Sequence, residues 1–253
     1  MNIIVCIKQI INSIINQESN NKRYGLNPFD EYALEESLKV KDMLKAKIIV
    51  ITMGTPDAEF ILRYSISKGV DEAILLTDNA FKGSDTLATA YTLFKAIKLI
   101  NNYNLILCGK QSPNGNTGFV GPELAEMLNI PHITCVKRIK SINNTVVIVD
   151  RLLDIGSEVL ESKLPVLLTI TKGDNISRLV SVKGRILARK ASIKIWDMKF
   201  LNMESNRTGS LGSNTHISKK DENNKQKNKE IFTGNASSIA VKIVDKLLEN
   251  KII

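Results

Sequence analysis

A chain of 253 residues with a net charge of +9 and 43% hydrophobic residues can bury one large core with an appendage, or two small ones. No apolar run reaches the roughly 18 residues of a membrane span, so no membrane insertion is expected. The basic residues are dispersed and aromatics are only 5%. That leaves neither a stacking platform nor a recognition helix for nucleic acid. Residues 1–8 carry no basic leader and read as a first strand. The three cysteines, Cys6, Cys108 and Cys135, lack metal-ligand spacing, and a cytoplasmic, reducing setting is expected.

In chain order, β-branched runs at 3–7, 47–52, 72–76 and 105–108 predict strands. Helical patterns lie between them. The first follows Asn27-Pro28-Phe29-Asp30 and carries Ala33, Val40 and Leu44 on one stripe. The second spans about 56–68. The third carries Leu87, Ala90, Phe94 and Ile97, with Ser84 or Asp85 as its cap. Strands without polar alternation are covered on both faces, and strict strand–helix alternation predicts a parallel, doubly wound sheet. Ligands of such sheets bind beyond the carboxyl ends of the strands.

The stretch 109–126 lies at such an end. It reads Gly109-Lys110-Gln111-Ser112-Pro113-Asn114-Gly115-Asn116-Thr117-Gly118-Phe119-Val120 and runs on into Gly121-Pro122-Glu123 and a helical pattern. Glycines let the backbone approach an anion, and the free N–H groups of a first helical turn point at it. Pro122 suits that turn. The segment fits neither Gly-x-Gly-x-x-Gly nor Gly-x-x-x-x-Gly-Lys-Ser/Thr, which argues against a Rossmann dehydrogenase and a P-loop nucleotidase. A loop entering a helix with no ligand remains the plain alternative.

From about residue 145 the pattern changes. Strands are expected at 145–150, 157–160 and 166–171, close enough for antiparallel pairing at one edge of the sheet. Residues 179–190 are basic and helix-compatible. Residues 202–230 are polar and free of aromatics, the composition of a loop or arm. Asn235 then caps an amphipathic helix bearing Ile239, Ala240, Ile243, Val244, Leu247 and Leu248. The expected organisation is an α/β nucleotide-binding domain over 1–200, a polar arm over 201–232, and a helix over 233–253 that packs on its own domain or on a partner subunit. His132, at a strand entry, and His216, in the arm, offer no catalytic triad, and no catalytic residue is assigned.

Four blocks in order resemble the beta subunits of electron transfer flavoproteins. They are Ile4-Val5-Cys6-Ile7-Lys8-Gln9; Asn27 through Ser37; Gly83-Ser84-Asp85-Thr86 through the 109–126 loop to Thr134; and Leu164-Pro165-Val166 with Ser177-Arg178 and Gly184 through Lys190. The resemblance spans essentially the whole chain. It implies an adenine-nucleotide-alpha-hydrolase-like sheet, doubly wound and mostly parallel, with an antiparallel edge and a C-terminal arm plus helix. It also implies a heterodimer with an alpha subunit that holds the electron-carrying FAD. The beta-subunit cleft would take AMP, or a second FAD in the electron-bifurcating members. Carried over, the cofactor pocket is Cys6, Asn27, Pro28, Phe29, Asp30, Met53 and Gly109 through Val120. Asn27–Asp30 also reads as a helix-capping turn.

The ending Val120-Gly121-Pro122 resembles the bifurcating, anaerobe-type branch, whose loop typically reads Asp-Gly-Asp-Thr. Here both aspartates are Asn114 and Asn116. Removing two negative charges beside a pyrophosphate eases repulsion by on the order of 1 kcal/mol each. The resemblance further implies a docking segment for acyl-CoA dehydrogenases around Ser181–Gly184. Val182 stands there where an apolar Leu anchor is usual, with Lys183 and Arg185 in a basic rim. A smaller anchor buries about one methylene less, about 0.8 kcal/mol. The expected function is electron transfer between NADH or a dehydrogenase and acyl-CoA dehydrogenase-type or quinone- or ferredoxin-linked partners. A stand-alone nucleotide module of the stress-protein type would explain the sheet and loop but not the 177–190 segment. An ATP-pyrophosphatase-type enzyme would need a Gly/Ser-rich loop near the first strand, which 9–16 does not supply.

Overall fold

A computed structural model describes residues 1–11, 24–215 and 230–252. The chain opens with strand β1 (Asn2–Cys6), an antiparallel pair β2 (Gln9–Ile11) and β3 (Tyr24–Leu26), and helix α1 (Pro28–Leu44). There follow β4 (Lys47–Met53), α2 (Glu59–Lys68), β5 (Glu72–Leu76), α3 (Thr86–Ile100), β6 (Leu105–Gly109) and α4 (Val120–Leu128). The second half adds β7 (His132–Ile142), β8 (Val146–Leu152), β9 (Ser157–Lys163), β10 (Val166–Ile170), α5 (Val182–Lys190), β11 (Lys194–Trp196) and α6 (Ala236–Glu249). His216 and residues 12–16 of the stretch read for a pyrophosphatase loop lie outside the described residues.

Nine strands form one sheet in the order β11-β5-β4-β1-β6-β10-β7-β8-β9. The first seven in that order pair in parallel; β8 and β9 extend the sheet antiparallel from β7. The period of two along β1 explains why the sheet is buried twice. Ile3 and Val5 pack with Leu34 and Leu38 of α1 and Ile61 and Leu62 of α2. Ile4 and Cys6 pack on the other face with Ala90 and Leu93 of α3 and Leu124 of α4.

Two expectations are corrected. The strand predicted at 166–171 is not part of the antiparallel edge: β10 lies between β6 and β7 and is parallel to both. Its five residues are all buried, so it needs cover on both faces, which an edge hairpin lacks. Leu44, placed on the buried stripe of α1, ends that helix and is exposed, while Ala33 and Val40 are fully buried. Two short elements carried too little periodicity to be read: β2 with β3, and β11, which pairs with β5.

Residues 201–215, read as the start of a polar arm, belong to the compact unit Met1–His216. Leu201, Thr208 and Ser213 are buried. The Ser213 hydroxyl accepts from Asp85 N–H (2.8 Å) and donates to Gly83 O (3.0 Å). Asp85 caps α3 by accepting from Ala88 N–H, and its other oxygen accepts from Asn214 and Thr215 N–H. Burial opposes ionisation of Asp85, but these backbone donors outweigh it and hold its carboxyl below the usual range. In the second unit, Ile217–Ile253, the Asn235 side chain caps α6 as expected, accepting from Ser238 N–H at 2.9 Å. No helix among the described residues is long and apolar enough to cross a membrane.

Candidate nucleotide site

The chain winds from β1 through β4 to β5 on one side, then crosses by α3 to β6 on the other side of β1. The carboxyl ends of β1 and β6 are therefore the switch point, where the two directions of winding leave a crevice. Cys6 ends β1 and is register-paired with Cys108 of β6; Gly109 is the next residue. Met53 ends β4, and Met53 and Val120 pack against the same apolar cluster as the two cysteines. Burial pushes the Cys6 thiol up to about 12 and Cys108 well above the ordinary thiol value, so both stay neutral wall groups.

One buried carboxylate ties these ends together. Asp30 Oδ2 accepts from Lys8 N–H at 2.6 Å. Its Oδ1 accepts from Gly109 N–H (3.0 Å) and from Asn27 Nδ2 (2.9 Å). The same Asn27 Nδ2 donates to Gln111 O at 2.9 Å. Asp30 is thus a brace between β1, α1 and β6 rather than a free ligand group. Asn27 likewise makes no side-chain cap to α1. Asn27 does stand at the N-cap of α1, where its backbone oxygen accepts from Asp30 and Glu31 N–H, while its side-chain amide spans to the 109–120 loop.

Burial pushes the Asp30 carboxyl up to about 7, against the donors from Lys8, Asn27 and Gly109 and the Lys8 charge, which lower it. The unfolded carboxyl ionises near 3.8. Between those values the folded state holds the extra proton, so this contribution to stability is full below about pH 4 and lost as pH rises towards 7. An Asp30→Asn variant cannot titrate. The stability of wild type relative to D30N is expected to be greatest near pH 4 and to shrink up to pH 7, as read by thermal melts across that range. A difference that grows with pH would contradict the burial-driven shift.

Beyond Gly109 the loop is exposed from Pro113 through Thr117. Ser112 O accepts from Asn116 N–H at 2.8 Å, closing a turn with Asn116 at φ 52° and Gly118 at φ 73°. Asn tolerates that left-handed conformation, so Asn116 suits this turn. Gln111 Nε2 donates to Asn116 Oδ1 (2.6 Å), and Lys8 Nζ lies 3.3 Å from Ser112 Oγ. Lys8, just after β1, therefore reaches the loop across the switch point. Phe119 is 58% exposed at the start of α4, and no side chain caps that helix, so its first turn stays open.

Buried polar atoms without a partner test whether a nucleotide fits. Among the described residues they are Asn27 Oδ1, Thr52 Oγ1, Glu123 Oε2 and Arg151 Nε. The first three belong to the start of α1, the end of β4 and the first turn of α4, all at the carboxyl edge. An acceptor at Asn27 Oδ1 suits an adenine amine or a ribose hydroxyl, and the open α4 turn suits a phosphate. The predicted residues Cys6, Asn27, Phe29, Asp30, Met53, Gly109, Gln111, Ser112, Asn116 and Val120 are therefore brought to one edge. Pro28, Pro113, Asn114, Gly115 and Thr117 lie at its exposed rim. Val182, Lys183 and Arg185 are elsewhere: all three are exposed on α5, which packs on α2.

These features define a doubly wound α/β protein with an exposed, glycine-bearing loop at its switch point. The chain matches the model of the electron transfer flavoprotein domain over residues 17–200. It is 39% identical, over the full length of both chains, to "Electron transfer flavoprotein subunit beta" of Thermoanaerobacterium thermosaccharolyticum. It is 37% identical to the protein of the same description from Clostridium acetobutylicum, over 98% of each chain. It is 36% identical, again over the whole of both, to "Caffeyl-CoA reductase-Etf complex subunit CarD" of Acetobacterium woodii. The chain belongs to the electron transfer flavoprotein family, among its beta subunits.

Proposed function

We propose that this chain pairs with an alpha subunit and binds the adenine-nucleotide part of FAD at the carboxyl edge of β1, β4 and β6. The heterodimer, working in the cytoplasm, passes electrons between NADH or a dehydrogenase and acyl-CoA dehydrogenase-type or quinone- or ferredoxin-linked partners. The observation that carries this is the Asp30–Asn27–Gly109 junction: it leaves an orphaned acceptor beside an open, glycine-bearing loop at the switch point. Asn27 and the backbone of 109–120 would hold the nucleotide, with Cys6 and Met53 as its apolar wall. The flavin supplies the electron chemistry when bound; the chain binds it, orients it and tunes it. The Val120-Gly121-Pro122 ending and the relative from a caffeyl-CoA reductase complex support a bifurcating role. AMP in place of the second FAD is the other reading.

The test is to co-express the chain with its alpha subunit, denature the purified complex and quantify nucleotides. Two FAD and no AMP per heterodimer are expected. One FAD with one AMP would make the complex a plain electron carrier. Alpha-subunit FAD alone would withdraw the pocket assignment.

A further inference from the structure

Two asparagines stand in the exposed turn over 113–117, and the fold treats them differently. Asn116 is held: Gln111 Nε2 donates to its Oδ1 at 2.6 Å, and its own N–H donates to Ser112 O at 2.8 Å. The residue after it, Thr117, is β-branched and crowds the backbone nitrogen that follows Asn116. Asn114 is exposed, and its side-chain amide has no hydrogen-bond partner among the described residues. The residue after it is Gly115, and this is the one Asn-Gly pair in all 253 residues. A Cβ placed on Gly115 would meet only Ser112 Oγ, at 3.6 Å, beyond its chain neighbours, so the space around its backbone is open. The Gly115 N–H is loosely engaged, 3.3 Å from Ser112 O.

A free amide followed by an unhindered, weakly bonded backbone nitrogen is what cyclisation of an asparagine requires. The Gly115 nitrogen loses its proton and attacks Asn114 Cγ. The Cγ–Nδ2 bond breaks, the proton passes through solvent to the departing nitrogen, and ammonia leaves a cyclic imide. Water then opens the ring. Cleavage between Cγ and the Gly115 nitrogen gives an ordinary aspartate. Cleavage between the main-chain carbonyl carbon and that nitrogen gives an isoaspartate, whose backbone runs through the former side chain. Water is the only co-reactant, and nothing is oxidised or reduced. A cation nearby favours the anionic nitrogen. Lys8 supplies one, since its Nζ lies 3.3 Å from the same Ser112 Oγ that neighbours Gly115.

We propose that Asn114 is a site of spontaneous deamidation, and that its isoaspartyl product loosens the nucleotide held by the 109–120 loop. An isoaspartate adds one atom to the backbone inside the turn that Ser112 O closes with Asn116 N–H. It also adds a negative charge beside the phosphate. A bound nucleotide slows the reaction in turn, because Asn114 Cγ must swing onto the Gly115 nitrogen and a stiffened loop opposes that. The coupling to the nucleotide rests on the functional reading above; the modification itself rests on the loop alone.

The test ages the purified heterodimer in warm, mildly alkaline buffer, with and without excess FAD or AMP, and maps its peptides by mass. Asn114 is expected to gain about 1 Da and to convert about tenfold or more faster than Asn116, with an isoaspartyl methyltransferase marking the isoaspartate. Excess nucleotide is expected to slow the conversion severalfold. Ageing is expected to speed the loss of nucleotide on gel filtration severalfold in wild type and to leave it unchanged in Asn114→Gln, whose longer side chain cyclises poorly. An Asn114 that stays intact in the folded heterodimer, while the urea-unfolded chain converts, overturns the proposal alone. Conversion at Asn114 with no change in nucleotide loss, in a complex that does hold nucleotide beyond the alpha-subunit FAD, overturns the proposed effect on the loop and spares the functional reading. A complex with no nucleotide beyond that FAD, whose Asn114 converts equally fast with and without added nucleotide, overturns the functional reading and the coupling with it.

Discussion

Gly109→Ala is expected to cost about 3 kcal/mol of stability or more and to empty the nucleotide site. A Cβ at this position would lie 2.3 Å from Asp30 Oδ1, 2.8 Å from Phe29 Cβ and 2.9 Å from the Asp30 backbone nitrogen. None of these can yield alone, because Asp30 is anchored to Lys8 and Asn27 and its backbone is in the first turn of α1. Overpacking of this kind typically costs about 1–3 kcal/mol. Pushing α1 away from β6 also breaks the Gly109 N–H bond and leaves a buried carboxylate short of a donor, for about another 1–3 kcal/mol. The same displacement moves Asn27 off Gln111 O and loosens the loop that would meet the phosphate. Urea unfolding and the nucleotide content of the purified heterodimer read the two effects. A variant with wild-type midpoint and nucleotide would show that α1 and β6 do not meet as described.

Gly184→Ala tests the other end of the molecule. Its Cβ would lie 2.0 Å from the Ser67 carbonyl oxygen and 3.0 Å from the Ser67 carbonyl carbon, both backbone atoms of α2. α5 buries only Gly184 and Ala188, so one methyl group removes half of its seat. Arg63 also holds α5, donating to Ala188 O at 2.5 Å, and that geometry depends on α5 lying close. The expected result is a loss of about 1–3 kcal/mol, read by urea unfolding, with the nucleotide content of the heterodimer retained. Retained nucleotide with lowered stability would separate the seat of α5 from the nucleotide edge. Loss of both would mean that α5 and the sheet edge fail as one unit.

Strand and helix periodicity made the parallel half of the fold legible. Ile3 through Cys6 alternate between two apolar faces, and a run without polar alternation has no solvent side. The caps at Asp85 and Asn235 were legible because a capping side chain acts on N–H groups two or three residues away. The loop at 109–120 was legible for the same local reason. The place of β10 was not. Its apolar run has the same composition whether it joins a hairpin or enters the middle of a sheet, and only its cover on two faces decides. Residues 201–215 were also misread, since the Ser213 hydroxyl serves the backbone of Gly83 and Asp85, and the backbone N–H groups of Asn214 and Thr215 donate to the Asp85 carboxylate.

The sequence by itself determined the alternation of elements, the turn chemistry of the loop and the family, because each is carried by short-range pattern or by ordered blocks of residues. The tertiary structure alone decided what the acids do. Asp30 and Asn27 looked like ligand groups, yet Asp30 is engaged by Lys8 and by Gly109, 22 and 79 positions away. Glu35 and Arg178 meet across 143 positions. A carboxylate in a helix reads the same whether it faces water, a ligand or a distant segment of the chain. Its role follows from what the fold brings within hydrogen-bond reach once water is excluded, and that is a property of packing rather than of local sequence.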